Sequence, residues 1–310
     1  MRTRNLGTDN PEISVIGYGA WQAGGADWGG RPPDDDVIAA IRAALDSGQT
    51  WIDTAEVYGK GRSEELVGRA IAGRRDEVLL FTKVAPDDEG SGIRPDEIRS
   101  AIQSSLRRLG TDHVDLYQVH WPDDRIPVEE TWGVMAELVH EGLARRIGVS
   151  NFDRGLVERC TPIHPVASVQ NELSLLCRDD TDALLPWLAE QGIGYLAYSP
   201  LGSGLLSGTI AAGATFAEGD WRREEFTPDL LDYAVPQVER LVAIARRIDL
   251  KPTDVALAWV LHQPGVTAAI CGTLSARNAC ANSAAGDIEL DPAVLAELDA
   301  AFTTGAGRPA

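Results

Sequence analysis

The sequence predicts an α/β protein, a closed (β/α)8 TIM barrel with an N-terminal β-hairpin, built as one domain over residues 1–310. Three observations carry that expectation. Eight short apolar stretches recur along the chain, and helix-length segments with apolar spacing near 3.6 separate them. No GxGxxG turn leads directly into a helix after an early strand, as an open nucleotide-binding sheet requires: "VIGYGAWQAGG" has glycines at the wrong spacing.

The predicted strands are 15–19 (VIGYG), 50–54 (TWIDT), 78–83 (VLLFTK), 114–120 (VDLYQVH), 144–150 (ARRIGVS), 167–172 (ASVQNE), 192–199 (GIGYLAYS) and 266–271 (VTAAIC). Helices open where proline and acidic residues precede an apolar-periodic run, and close on glycine. "PPDDDVIAAIRAALDSG", "RPDEIRSAIQSSLRRLG" and "KPTDVALAWVLHQPG" all follow that pattern. Before the first strand, "RTRNLG" and "PEISVIG" read as a small hairpin closing the barrel bottom. The interval from Gly202 to Pro236 is too long for an ordinary connection and reads as a functional loop.

Composition narrows the function classes. With 28 Lys plus Arg against 47 Asp plus Glu, the formal charge is −19, which disfavours nucleic acid and anionic membranes as partners. The four cysteines, Cys160, Cys177, Cys271 and Cys280, are too dispersed for a disulfide framework or a CxxC pair. The N-terminus has no signal-peptide run, and no stretch approaches a membrane span. The expectation is a soluble, cytoplasmic protein without a metal site.

In a barrel of this kind, reactive groups sit where strands end and the following loops begin. The second strand ends at Asp53, the third at Lys83 and the fourth at His120, and Tyr58 follows Asp53 in "WIDTAEVYGKG". Each has a structural explanation taken singly: a helix cap, a half-buried aromatic, a strand-end charge, a satisfied core histidine. Their coincidence at adjacent strand ends favours chemistry. Lys83 beside Tyr58 is expected to lower the phenol from its usual value of about 10, with Asp53 holding Lys83 charged and His120 positioning a carbonyl oxygen.

"DTAEVYG", "LLFTKV", "DLYQVHWP", "GVSNF", "VQNE" and "YSPLGSGLLSG", in this order and spacing, resemble the aldo-keto reductases, and most closely a bacterial branch similar to potassium-channel β subunits. The resemblance spans nearly the whole chain. It implies a barrel that binds extended NADP(H) without a Rossmann fold, and a catalytic tetrad of Asp53, Tyr58, Lys83 and His120. It further implies that Ser150, Asn151 and Gln170 contact the nicotinamide carboxamide, that Tyr198 stacks on the ring, and that Ser199, Leu201, Gly202 and Ser203 follow the pyrophosphate. Outside that resemblance, Asn151 also reads as a helix cap and Gln170 as a satisfied interior amide.

Trp21 and Trp121 are expected to wall a substrate pocket, with Trp28 and Trp221 at its rim or in packing, an arrangement suited to sugars or aromatic carbonyls. The tail after Phe302, "TTGAGRPA", is expected to be too short for a lid. The chain departs from the resemblance at "ICGTLSARNACAN". There Cys271 stands for a proline, Asn278 for an arginine near the adenosine 2′-phosphate, and Ala281 for an acid, while Asn282 persists. Ser275 and Arg277 are the remaining candidates for the phosphate, so NAD(H) is a possible second cofactor. The expected activity is NADP(H)-dependent reduction of aldehydes or ketones, or oxidation of alcohols or sugars in reverse. A slow nucleotide-binding redox sensor and a Schiff-base lyase using Lys83 are the alternatives.

Overall fold

The computed structural model describes residues 1–25, 27–86 and 93–302. The lid expectation for the tail after Phe302 falls outside the described residues. The chain opens with an antiparallel hairpin of β1 (Thr3–Asn5) and β2 (Glu12–Ser14). Eight parallel strands then close into a barrel: β3 (Ile16–Gly19), β4 (Trp51–Asp53), β5 (Leu79–Val84), β6 (Leu116–Val119), β7 (Ile147–Ser150), β8 (Ser168–Glu172), β9 (Gly194–Tyr198) and β10 (Ala268–Gly272). The last strand pairs with the first, Ile270 opposite Gly17, so the barrel has no free edge. All eight predicted strands are present.

Helices follow in chain order as α1 (Trp21–Gly24), α2 (Asp34–Asp46), α3 (Arg62–Ala70), α4 (Pro95–Leu109), α5 (Val128–His140), α6 (Arg154–Cys160) and α7 (Leu184–Gln191). Beyond β9 come α8 (Arg222–Glu225), α9 (Pro228–Arg247) and α10 (Pro252–His262), and α11 (Ala276–Ala285) and α12 (Pro292–Ala301) follow β10. The long interval after Gly202 is shorter than expected. It ends at Thr227, whose side chain caps α9 by accepting the Leu230 N–H, with Pro228 in the first turn. Pro236 lies inside that helix rather than ending a loop. A 20-residue amphipathic helix docked by Leu231, Val238 and Leu241 tolerates the one missing N–H.

The interior is layered by the two-residue period of the strands. Leu6 from the hairpin, then Trp51, Phe81, Leu116, Leu196, Ala268 and Ile270 form a buried apolar plug. Trp51 anchors it, since its ring nitrogen donates to the Ser14 carbonyl at 2.8 Å and its ring meets Phe81 at 5.0 Å. A β-carbon on Gly17 would overlap the Trp51 indole, which is why glycine stands there. Two residues further along the strands the same inward direction carries Asp53, Lys83, Gln118, Gln170 and Tyr198. The apolar plug thus supports a polar layer at the C-terminal ends.

One carboxyl is caught where this layer meets the surrounding loops. Burial pushes Glu56 up to about 7; the Ala85 N–H, donating at 3.2 Å, offsets part of this, and Glu64 adds repulsion.

Two stability predictions follow from this packing. Leu6→Ala leaves a cavity under the barrel and is expected to cost about 2 to 5 kcal/mol, seen as a lower denaturant midpoint at unchanged slope. An unchanged midpoint would show that the hairpin does not seal the core. For Glu56, the folded state holds a proton from about pH 4.5 to about 7 that the unfolded chain releases. Its contribution is complete below about 4.5 and is lost as pH rises to about 7. Glu56→Gln should flatten that part of a stability profile measured from pH 4 to 8; an identical slope in both proteins contradicts the assignment.

Candidate active site

Strand register assembles the polar layer. Lys83 lies opposite Gln118, and Ser150 opposite Gln170, while Gly19 lies opposite Asp53. Asp53 closes β4, Lys83 is the penultimate residue of β5, and His120 follows β6 directly. Tyr58 is carried by the turn between β4 and α3, and that turn is held down by contact with α1. A β-carbon on Gly24 would come within 2.6 Å of the Gly59 backbone nitrogen, so the two glycines let the Tyr58 turn lie directly on α1. Arg62 fastens the same junction, donating to the Ala23 and Pro32 carbonyls and to Asp34.

The four predicted catalytic groups converge. The Lys83 ammonium, fully buried, donates to Asp53 Oδ1 at 2.5 Å, to the Thr54 carbonyl at 2.9 Å and to the Tyr58 hydroxyl at 3.4 Å. The Tyr58 hydroxyl lies 3.5 Å from His120 Nε2. Burial alone would lower the lysine, but Asp53 and Tyr58 outweigh it and hold the ammonium above its ordinary range. Burial, with the Lys83 charge adding to it, holds the His120 imidazole well below its ordinary value and therefore neutral. The expectation of a lowered Tyr58 phenol is corrected. Burial dominates and raises it; the Lys83 charge and hydrogen bond pull it down, and the Asp53 charge opposes that pull.

All of these groups but the buried Lys83 reach a cavity of about 510 Å³. Asp53, Tyr58 and His120 line it, and so do Ser150, Asn151, Gln170, Tyr198, Ser199, Leu201, Ser203, Trp21, Trp28 and Trp121. Asn151 is not a helix cap: Asp153 caps α6, and Asn151 instead donates to the His120 carbonyl at 2.9 Å while accepting the Tyr198 hydroxyl at 2.8 Å. The Gln170 amide nitrogen is satisfied, donating to Asp53 Oδ2 at 2.9 Å and to Gln118 Oε1 at 3.3 Å, and the residue lines the cavity as well. Ser199, Gly202, Ser203 and Gly204 have positive φ values of 50°, 54°, 52° and 102°. This run turns the chain sharply beside the cavity and needs small side chains.

Other predicted site residues lie elsewhere. Gly202 turns away from the cavity lining. Trp221 packs behind the wall, its ring 5.4 Å from Trp21 and 5.9 Å from Trp28. It does so because its segment is stitched to the loop after α1: Trp221 N–H donates to the Asp27 carbonyl at 2.9 Å, and Gly29 N–H to the Gly219 carbonyl at 3.2 Å. Ser275 immediately precedes α11, and Arg277, Asn278 and Asn282 belong to it, all four outside the lining. The Ser275 hydroxyl caps that helix by accepting the Asn278 N–H, Arg277 and Asn278 are exposed, and Asn282 is buried.

The cavity also takes in residues that sequence reasoning missed: Gln22, Asp27, Val57, Gly204, Arg222, Gly272 and others. Arg222 pairs with Asp220 at 2.6 Å and lies 5.0 Å from the Trp28 ring. Nothing in "GDWRREE" announces that placement, because it depends on two distant loops meeting. Val57, at 45% exposure, was legible as an apolar residue beside Tyr58; with Trp121, at 51%, it gives the mouth an apolar lip.

Comparison with known proteins agrees with this geometry. Residues 15–302 match the Aldo/keto reductase family. The chain is 40% identical over 283 residues to the aldo-keto reductase YhdN of Bacillus subtilis (strain 168), an alignment covering 88% of this chain and 85% of that protein. Among solved structures it is similar to the glycerol dehydrogenase AKR11B4 from Gluconobacter oxydans, with 32% identity, a TM-score of 0.86, and 99% and 97% of the two chains covered. It is also similar to an aldo-keto reductase from Klebsiella pneumoniae in complex with NADPH, with 32% identity, a TM-score of 0.79 and 99% of each chain covered. The family match spans nearly the whole barrel, and the chain belongs to the aldo/keto reductase family.

Proposed function

We propose that the protein is an NADP(H)-dependent oxidoreductase that reduces aldehydes or ketones, or oxidises alcohols or sugars in reverse, with Tyr58 as the general acid and base. The observation that carries this reading is a half-buried tyrosine lining an open cavity, its hydroxyl between a charged lysine and a neutral histidine. The relative from Klebsiella pneumoniae solved with NADPH supports the choice of cofactor. The relative described as a glycerol dehydrogenase supports alcohol–carbonyl chemistry.

The residues fit such a cofactor. Ser150, Asn151 and Gln170 offer hydroxyl and amide groups to a carboxamide, Tyr198 offers a flat ring, and the Ser199–Gly204 turn offers closely approachable backbone. When bound, the dinucleotide supplies the hydride. The protein supplies the proton. A phenol raised by burial stays protonated at neutral pH, as a donor must. As it gives its proton to a substrate oxygen, the phenolate develops 3.4 Å from an ammonium already fixed in place, so little reorganisation is needed. Neutral His120, with Nε2 3.5 Å from the same hydroxyl, orients that oxygen.

The lyase alternative requires a nucleophilic Lys83. Its full burial, three acceptors and raised pKa oppose that role. Trp21, Trp28, Trp121 and Val57 suit substrates with an apolar or sugar-like face, and the four cysteines, all free, suit a cytoplasmic location. We read the chain as one domain over residues 1–310, and propose a kinship with potassium-channel β subunits from the "YSPLGSGLLSG" segment.

Tyr58→Phe is expected to lower kcat for carbonyl reduction by about 100-fold or more while nucleotide affinity, read by tryptophan fluorescence quenching, changes little. A wild-type rate in this variant would remove Tyr58 from the mechanism, and tight binding without turnover in the unmodified protein would favour the sensor. Cofactor choice provides a second test. With Asn278 neutral and Arg277 beside it on the exposed first turn of α11, preference for NADP(H) should be weak and NADH should support turnover. Asn278→Arg adds a charge-assisted contact of about 1.5 to 3 kcal/mol and should raise the NADPH-to-NADH ratio of kcat/KM about tenfold or more. An unchanged ratio places the 2′-phosphate elsewhere.

A further inference from the structure

Gln118 is a side chain that the proposed chemistry leaves unexplained. It sits in the middle of β6, fully buried, at an inward position of a kind that barrels usually fill with branched apolar residues. Leu116, two residues earlier on the same strand, follows that habit. A buried amide needs partners for both its N–H and its carbonyl groups, or it destabilises the core.

Its partners are specific. Gln118 Nε2 donates to Asp53 Oδ2 at 3.2 Å, and Gln118 Oε1 accepts from Gln170 Nε2 at 3.3 Å. Gln170 Nε2 also donates to Asp53 Oδ2 at 2.9 Å. The Asp53 carboxylate is therefore divided, with Oδ1 taken by Lys83 and Oδ2 by two amides. Neither amide can turn over. A flip of Gln170 would set its oxygen against both Asp53 Oδ2 and Gln118 Oε1, and a flip of Gln118 would set oxygen against the carboxylate. Both hydrogens of the Gln170 amide are consumed in this triangle. Only its oxygen remains for a ligand in the cavity that it lines.

We propose that Gln118 is a positioning residue: together with Asp53 it locks Gln170 so that a hydrogen-bond acceptor, and not a donor, meets the N–H of a bound carboxamide. The lock also joins the two halves of the site, since one carboxylate orients the lysine beside the proton donor and the amide that meets the nicotinamide. This inference rests on the proposed use of a nicotinamide nucleotide.

The test compares dissociation constants for NADPH and for its 3-acetylpyridine analogue, in which a methyl group replaces the carboxamide NH2, read by tryptophan fluorescence quenching. The unmodified protein should favour NADPH. Gln118→Met, similar in length and apolar, releases one anchor of Gln170 and should reduce that preference by about threefold to tenfold, the equivalent of one neutral hydrogen bond. Gln118→Glu in its protonated form donates to Asp53 Oδ2 and accepts from Gln170 Nε2 in the same places, so measured on the acid side it should retain the preference. Two results overturn the assignment: a preference in Gln118→Met equal to that of the unmodified protein, or equal losses in both variants, which mark a packing role. A preference near one in the unmodified protein overturns it without any variant, so a variant that fails to fold does not protect it. Binding without turnover defeats only the proposed activity, whereas a protein that binds neither nucleotide defeats both readings.

Discussion

The ion pair between Lys83 and Asp53 is the constraint on which the rest of the site depends. Two unlike charges stand in the barrel interior at 2.5 Å, the lysine fully buried and the carboxylate nearly so. Removing either partner alone would leave an uncompensated buried charge, a cost of about 3 to 5 kcal/mol in comparable cases. The surroundings spread that charge: the Thr54 carbonyl and the Tyr58 hydroxyl share the ammonium, and Gln118 and Gln170 share the far carboxylate oxygen. A pair so enclosed adds little net stability. Its value lies in fixing where positive charge stands relative to the phenol.

That placement explains a feature at odds with a simple view of an activated tyrosine. The phenol is raised, not lowered, since burial, with the Asp53 charge adding to it, outweighs the pull of Lys83. For the proposed proton donor this is the useful direction. In that role the resting hydroxyl would remain protonated, and the lysine would act chiefly on the charge that develops as the proton departs. His120, neutral through burial, would add no competing positive charge beside a substrate oxygen.

The scaffold divides its labour along the barrel axis. Below, Leu6, Trp51, Phe81 and Leu116 make an apolar plug that gives the polar layer a rigid base. Above, two loops far apart in the chain meet through the Trp221–Asp27 and Gly29–Gly219 backbone bonds, carrying Trp28 and Arg222 to the cavity wall. The polar groups of the cavity thus stand on strands and tight turns, while the wall above them is built from longer segments.

Much of this was legible in the sequence alone. The alternation of eight apolar stretches with capped helices determined the barrel, because strand and helix periods are local properties that survive in one dimension. The residues at three strand ends brought Asp53, Lys83 and His120 together for the same reason: in a parallel barrel the C-terminal ends of neighbouring strands meet whatever the rest of the chain does. Only the tertiary structure decided the direction of the Tyr58 shift, since it turns on burial and on how one ammonium is shared among three acceptors. It also decided that Gln118 and Gln170 converge on Asp53, which depends on the register between strands that are distant in the chain. Packing between separated loops put Arg222 in the cavity wall and Trp221 behind it. The cap at Thr227, with Pro228 in the first turn, turned the last nine residues of an expected loop into helix. Local chemistry names the groups; their distances and charges exist only once the chain has closed.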